Sequence, residues 1–415
     1  MRKVPGSVLL ILSVFVLADC ASAPVRPQAR WWKGNLHTHS LWSDGADFPE
    51  MIAAWYRDHG YNFLAVTEHD MLQQGSERWV DMSQPDAGWP PRNASARAAL
   101  PEYLERFGAP WVQHRQEANQ HLVRLRGLAE YRHLFERPDS FLFIMAEEIT
   151  DKGGAHVNAF NLDVAILPRG GATTAQRTTN NLAAVAEQRR ARGRPISAII
   201  NHPNYVWSLK AEEIAQMRDA RLFEVYNGHL LTNSAGDAVH PGTDQMWDVV
   251  LTLRHRTGLG PVYGVATDDA HEYRSFSDTI SMPGRGWVMV RASSLQVDRL
   301  LAALEAGEFY ASTGVTLTDL RRDAAGISIT IAAEPGVSYR TQFIGTRYPA
   351  GTIGEVFAEV DGPAASYSFR GDERYVRAKV ISSEAHIDPI SGKRLGRQAA
   401  WVQPVMRAVA AEQTR

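Results

Sequence analysis

A chain of 415 residues, 44% of them hydrophobic, is long enough for one large domain with a smaller one attached and can bury a sizeable core. Its 44 basic and 46 acidic residues leave a formal net charge of −2, and no Lys/Arg run tracks a phosphate backbone, so no nucleic-acid partner is expected. The single cysteine, Cys20, rules out an intrachain disulfide and leaves no thiolate in the body of the chain.

The N-terminus carries Arg2 and Lys3, an apolar stretch from Val8 to Leu17 interrupted by Ser13, and then small residues. This form predicts a secretory signal over residues 1–23 and export to the periplasm or cell envelope of a bacterium. The stretch is too short for a spanning helix. Leu17-Ala18-Asp19-Cys20 resembles a lipoprotein box, in which the cysteine becomes the lipidated first residue and anchors the chain to a membrane. Asp19 departs from the small uncharged residue usual there, and cleavage after Ala21-Ser22-Ala23 is the alternative. Pro24 and Pro27 mark a short tether.

From there apolar runs alternate with helical patterns. Trp32 to Leu36 leads into His37, Phe63 to Thr67 into His69, Phe141 to Met145 into Glu148, Ile196 to Ile200 into His202, and Val262 to Thr267 into Asp269. Repeated strand and helix units with chemistry-bearing residues at strand C-termini predict an α/β barrel, whose sites gather at that end. Residues 71–140 form an insertion far longer than an ordinary loop between strand and helix, expected either to arch over the site as a cap or to pack on the side of the barrel. Within it, Ala118, Leu122, Leu125 and Ala129 stand at helical spacing, which predicts one long helix over Trp111 to Glu136. Helices are also predicted over Ala175 to Arg192, closed by Gly193, over Glu212 to Asp219, and over Gln245 to Thr257, closed by Gly258. The barrel is expected over residues 24–316. From 317 to 415 the texture changes, with alternation at Ile327 to Ile331, Tyr375 to Val380 and Trp401 to Val405 predicting a small C-terminal β-sandwich.

Six histidines and three carboxylates dominate the strand ends: His37, His39, Asp44, His69, Glu148, His156, His202, Asp269 and His271. Imidazole and carboxylate are the donor set that Zn²⁺, Mn²⁺ and Fe²⁺ share, and nine such groups exceed the need of one ion. They predict a hydrolase built around a metal cluster. In His37-Thr38-His39 the alternation of a strand turns both rings to one side. Asp44 follows in a Ser43-Asp44-Gly45 turn, and Glu68 and Asp70 flank His69, where carboxylates commonly orient a ligating ring. Only one of the adjacent Glu147 and Glu148 can face the pocket. Alternation places Asn158 on the face of His156, and Gly153-Gly154 before them permits close backbone approach. Glu224, Asn227 and His229 end another apolar run and are weaker candidates to line the pocket. Arg274 and Arg285, after His271, are candidates to clamp an anionic substrate group.

The order H-T-H, S-D-G, T-E-H-D, A-E-E-I-T, G-A-H-V-N, N-H-P and T-D-D-A-H resembles the polymerase and histidinol phosphatase (PHP) superfamily. The stretches M-P-G-R-G-W and F-Y-A-S-T-G are most similar to its CehA/McbA metallohydrolase group. The resemblance runs from Trp31 to Thr318 and implies a distorted seven-stranded (β/α) barrel with two or three divalent ions. It selects Glu148 over Glu147 as the bridging carboxylate, and the Asp-X-His spacing selects Asp269 over Asp268. It implies His37, His39, Glu148 and Asp269 around a first ion, Glu148, His156 and His202 around a second, and Asp44, His69 and His271 around a third. The family pattern has Asp where this chain has Glu68.

The expectation is a metal-dependent phosphoesterase acting on a small-molecule substrate, with a metal-bound water or hydroxide as nucleophile and no catalytic serine or cysteine. The alternatives are carbamate, ester or amide hydrolysis at the same cluster, and a non-enzymatic metal- or ligand-binding lipoprotein of the envelope.

Overall fold

The computed structural model describes Met1 and residues 29–75, 77–83, 92–274, 281–349 and 351–407. Cys20 and the expected export signal lie outside these residues. In chain order the first half comprises β1 (Arg30–Asn35), α1 (Pro49–Asp58), β2 (Phe63–His69), β3 (Arg78–Asp81), α2 (Arg92–Phe107), β4 (His114–Glu117), β5 (Gln120–Leu125), α3 (Leu128–Phe135), β6 (Leu142–Ile149) and β7 (Val157–Phe160). It continues through α4 (Thr174–Arg192), β8 (Ser197–Ile200), α5 (Ala211–Gln216), β9 (Leu222–Asn227), α6 (Thr243–Thr257), β10 (Tyr263–Thr267), β11 (Trp287–Ala292), α7 (Val297–Glu305) and β12 (Phe309–Ser312). The tail holds β13 (Leu317–Asp323), β14 (Gly326–Ile331), β15 (Tyr339–Arg347), β16 (Glu355–Asp361), β17 (Ala364–Ser368), β18 (Glu373–Ile387) and β19 (Arg394–Met406).

One mixed sheet carries the molecule, in the order β10-β9-β8-β7-β6-β2-β1-β11-β12-β19-β18-β15-β16. Its strands β1, β2 and β6 are parallel, as are β8, β9 and β10, but β7 runs against both its neighbours and β11 against β1. Because β7 reverses between β6 and β8, six strands still point the same way and share one C-terminal edge. Alternate side chains along them enter different cores. Ile199 joins Leu36, Phe63, Ala65, Ile144, Leu222 and Val265 on one face, while Ile200 joins Phe223 and Val225 under Leu182, Val185, Ile214, Trp247 and Leu251 of the helices. Burial on both faces is why these strands read as continuous apolar runs.

The expected closed barrel is not present among the described residues. The ladder ends at β10, and its link to the first strand is local: an isolated bridge pairs Thr38 with Ala270, Asp269 N–H donates to His37 C=O at 2.9 Å, and His39 N–H to Ala270 C=O at 2.9 Å. Instead of closing, the sheet passes from β1 through antiparallel β11 and β12 into β19. The side chain of Gln403 then holds the N–H and C=O of Gly264 on β10, at 2.9 and 2.8 Å.

The insertion is also different from expectation. Residues 111–136 are not one helix: β4 and β5 form a hairpin whose two-residue turn places Ala118 at φ 51°, and α3 follows separately. Leu122 and Leu125 are buried because β5 pairs with β3 as well as β4, a partner that local spacing does not disclose. Val80, Ala96, Tyr103, Val123 and Leu125 pack on Leu41, Trp42 and Phe48, so the described part of the insertion supports the loop that carries Asp44.

Helix α4 begins with the Thr173 hydroxyl capping Gln176 N–H at 3.1 Å and ends at Gly193, whose φ of 62° suits a residue without Cβ. In the tail, β13, β14 and β17 form a small sheet over the continuation of the large one. Leu320, Ile327, Ile329 and Tyr367 face Phe343, Val376, Ala378 and Val380 in a sandwich-like core.

Candidate metal centre

The shared C-terminal edge gathers all nine strand-end candidates. His37 and His39 follow β1, His69 ends β2, Glu148 is the penultimate residue of β6, His202 lies two residues past β8, and Asp269 and His271 follow β10. His156 directly precedes β7, and because β7 is antiparallel its start lies at that same edge. Asp44 comes from the loop between β1 and α1.

Glu148 occupies the middle. Its Oε2 lies 3.3 Å from His37 Nε2, 3.3 Å from His39 Nε2 and 3.2 Å from His69 Nδ1. Its Oε1 lies 3.0 Å from His156 Nδ1 and 3.2 Å from His202 Nε2. Asp269 Oδ1 stands 3.1 Å from His37 Nε2 and 3.3 Å from His39 Nε2. Asp44 faces three rings, with Oδ2 at 3.2 Å from His69 Nε2 and Oδ1 at 3.5 Å from both His39 Nδ1 and His271 Nε2. The His37 and His39 side chains have no exposed surface, whereas those of His69, Asp44, His156 and His271 are 25, 18, 14 and 14% exposed. The centre therefore opens on the side of these last four.

These groups fit divalent cations. His37 Nε2, His39 Nε2 and His202 Nδ1 are buried with no hydrogen-bond partner, although carboxylates stand beside the first two. Donor atoms held about 2.1 Å from one ion are separated by about 3.0–3.4 Å in octahedral or tetrahedral arrangements, which the spacings around Glu148 and Asp269 match. Four sets of three or more donors lie close enough to share an ion: His37, His39 and Glu148; His37, His202 and Asp269; His69, Glu148 and His156; and His39, Asp44, His69 and His271. Oxygen and imidazole nitrogen, with no sulfur, suit Zn²⁺, Mn²⁺ or Fe²⁺.

Electrostatics agree with a site that attracts positive charge. Burial raises the carboxyl pKa values of Asp44 and Glu148, yet His271 and His69 beside Asp44, and His37 and His69 beside Glu148, hold both well below the usual range. Burial would likewise lower His69 and His271, but Glu148 and Asp44 around the first and Asp44 around the second raise each to about 9. His39 differs, pushed down to about 3 by burial and by the charge of His271.

Around the centre, several residues hold the donors. Glu224, fully buried on β9, accepts from His37 Nδ1 at 2.7 Å, His202 N–H at 2.7 Å, Thr267 Oγ1 at 2.6 Å and Asn227 Nδ2 at 2.7 Å. Asn227 also donates to Asp269 Oδ2 at 3.1 Å. Asn201 donates to Glu148 Oε1 and to Asn158 Oδ1, both at 2.8 Å, and Asn158 donates to Leu36 C=O at 3.0 Å. Sequence reasoning missed Asn201, whose place directly before His202 was the available signal. It also missed Thr150, with Oγ1 2.5 Å from His69 Nδ1.

Other candidates have different places. Glu68 does not touch His69, because neighbours on a strand point to opposite sides. It accepts instead from Ser40, Ser43 and Gln73, fastening the loop that presents Asp44. Asp70 accepts Thr150 N–H at 2.7 Å, and Glu147 accepts Ile166 N–H at 2.6 Å. Asp268 is enclosed by the N–H groups of Gly284, Arg285 and Gly286, at 2.6 to 2.9 Å, and by the Tyr56 hydroxyl at 2.8 Å. Burial raises its pKa to about 6. Neither arginine is free to clamp substrate. Arg285 is fully buried against Asp388 at 2.6 Å and Gly228 C=O at 2.8 Å, and Arg274 pairs with Asp47 at 2.6 Å and Glu102 at 3.4 Å. His229 borders the centre, its ring edge-on to His271 at 5.7 Å, with Nδ1 accepting Leu231 N–H.

Nine convergent donors around a central carboxylate define the class: a histidine-rich centre fit to bind divalent metal. No family model and no curated protein matches the chain. Among solved structures, it is similar to a two-domain protein of Bacteroides vulgatus containing a predicted PHP-like metal-dependent phosphoesterase. That match has 14% identity over 89% of this chain and 95% of the other, with a TM-score of 0.38. It is also similar to a candidate metal-dependent phosphoesterase of Bifidobacterium adolescentis, at 13% identity over 62% of this chain and 94% of the other, with a TM-score of 0.26.

Proposed function

We propose that this protein is a metal-dependent phosphoesterase of PHP type, with two or three Zn²⁺, Mn²⁺ or Fe²⁺ ions held by the nine residues above. The observation that carries the reading is the division of Glu148, whose Oε2 faces His37, His39 and His69 while its Oε1 faces His156 and His202. Bound ions supply Lewis acidity and a water acidified toward neutral pH, and an array of them suits the several oxygens of a phosphoryl group. With ions bound on both sides of it, Glu148 would help to hold them through its two oxygens, and its negative charge would relieve their repulsion. Glu224 holds the His37 proton on Nδ1 and leaves Nε2 facing the centre. Ser40 and Ser43 are committed to Glu68, so neither hydroxyl serves as a nucleophile.

Carbamate, ester or amide hydrolysis is the competing reaction. The two stretches behind the CehA/McbA resemblance have scaffold positions here: Met282 to Trp287 encloses Asp268, and Phe309 to Ser312 is β12. They do not favour that reaction. The test is a chromogenic panel of phosphate mono- and diesters, aryl carbamates and carboxylic esters, assayed with Mn²⁺ or Zn²⁺ alongside elemental analysis. At least two metal equivalents and faster phosphoester cleavage are expected. Carbamate turnover with silent phosphoesters overturns the reaction, and one equivalent or less overturns the cluster. We further propose export with a lipid on Cys20. Equal membrane attachment of the Cys20→Ala variant would remove the anchor.

A further inference from the structure

Two loops at the open side of the centre carry apolar surface that metal binding does not explain. After His202 the chain turns tightly, placing Val206 at φ 48°, ψ 25° and Trp207 at φ 54°. A β-branched residue in the left-handed region is sterically strained, and such strain persists where the surroundings impose it. Val206 is nevertheless 61% exposed, so core packing does not offset the strain. Its Cγ2 lies over Gly154, two residues before His156, so close that a Cβ on Gly154 would stand 2.7 Å away.

The second loop begins at His229, beside His271, and continues through Leu230 and Leu231, which are 37 and 46% exposed. The loops are tied together. Asn204 Nδ2 donates to Asn233 C=O at 3.1 Å and Pro241 C=O at 3.0 Å, and Trp207 stacks on His240 with centroids 4.0 Å apart. Arg274 and Arg285, the arginines of the loop after His271, are both committed to carboxylates, so neither recognises a second anionic group. Exposed apolar side chains on two joined loops beside a reactive centre mark a binding surface.

We propose that Val206, Leu230 and Leu231 form a collar for the apolar leaving group of the substrate, an aryl or long alkyl alcohol esterified to the phosphoryl group at the metals. The inference rests on the phosphoesterase reading. Hydrolysis forms a P–O bond to the oxygen of water and breaks the P–O bond to the aryl or alkyl oxygen, which departs with a proton of that water. An apolar leaving group laid on the collar withdraws from water the side chains that the fold leaves exposed.

The experiment compares KM for 1-naphthyl phosphate and glycerol 2-phosphate in the wild type, Val206→Ser and Leu231→Ser. It also titrates each protein with uncleavable 1-naphthylmethylphosphonate, followed by naphthyl fluorescence anisotropy. The wild type should show a KM about tenfold lower for the naphthyl ester, and each serine should narrow that ratio about threefold or more, the scale of a lost apolar contact. Val206→Gly should bind the phosphonate more weakly while melting at a higher temperature, since glycine relieves the backbone strain. Equal KM values for the two esters, or a ratio that neither serine moves, overturn the collar and leave the phosphoesterase reading intact. If no phosphoester is cleaved by metal-replete protein, that reading fails and the titration decides the collar alone. Weaker binding in the serine variants then supports an apolar site, and absent or unaltered binding overturns it.

Discussion

Glu224 Oε1 accepts a hydrogen bond from His37 Nδ1 at 2.7 Å, on the edge of the ring opposite the one that faces Glu148 and Asp269. A carboxylate behind a ligating imidazole fixes its tautomer and orientation and strengthens its basicity. Replacing Glu224 by Ala should therefore lower metal affinity about 10- to 100-fold without removing any donor from the cluster. Metal-release titration with a chelator measures it. An unchanged release curve would show that the ring needs no such support.

Glu148 and Asp44 differ in reach, and their variants should differ in metal content. Glu148 faces five rings through two oxygens, whereas Asp44 faces three, of which His69 and His271 lie at the open side. Glu148→Gln should lose metal from more than one position and lower turnover by several orders of magnitude, roughly the scale lost with a metal-activated nucleophile. Asp44→Asn should retain the ions at His37 and His202 and lose the outer one. Elemental analysis of both variants, loaded identically, separates these outcomes; equal losses contradict the division of roles.

Glu50 supplies a pH dependence away from the metals. Its Oε1 accepts from Tyr103 at 2.8 Å and Trp111 at 2.9 Å, joining α1 to the insertion, and burial raises its pKa from 4.5 to about 7. The folded state then holds this proton more tightly than the unfolded state, so the contribution of Glu50 to stability is greatest below pH 4.5 and falls as pH rises through 7. Glu50→Gln keeps the accepting oxygen but cannot ionise. Its unfolding free energy, measured by urea denaturation at each pH, should gain on the wild type between pH 5 and pH 8 by a difference on the order of 1–3 kcal/mol. Parallel pH profiles would contradict this.

The Arg285–Asp388 pair, fully buried at 2.6 Å, joins the loop beside the centre to the end of β18. Removing one partner leaves a charge without compensation in a dry site, so Asp388→Ala should cost about 3–5 kcal/mol in urea unfolding. The double variant Arg285→Met, Asp388→Leu should recover most of that loss, because it buries no charge. A double variant as unstable as Asp388→Ala would show that the contact to Gly228 carbonyl, also lost, matters more than the ion pair.

The donor set and its strand-end placement were legible in the sequence because both depend on short-range chemistry. Alternation in His37-Thr38-His39 turns two rings together, and apolar runs of Val, Ile and Phe mark strands that are buried on both faces. Other features depend on partners far along the chain. The separate roles of Asp268 and Asp269 follow from a cage of N–H groups supplied by Gly284, Arg285 and Gly286. Glu224, a weaker candidate to line the pocket in the sequence, became the hub behind His37 and His202 only when β9 was set between β8 and β10. Leu122 and Leu125 fit helical spacing as well as a strand, and β3 decided between them by pairing with β5. Likewise, the reversed β7 and the antiparallel β11 turned an expected closed barrel into a mixed sheet that runs on into the tail. Local sequence sets which backbone conformations and donors are available. Long-range strand pairing, whose hydrogen bonds and buried faces come from distant segments, selects among them.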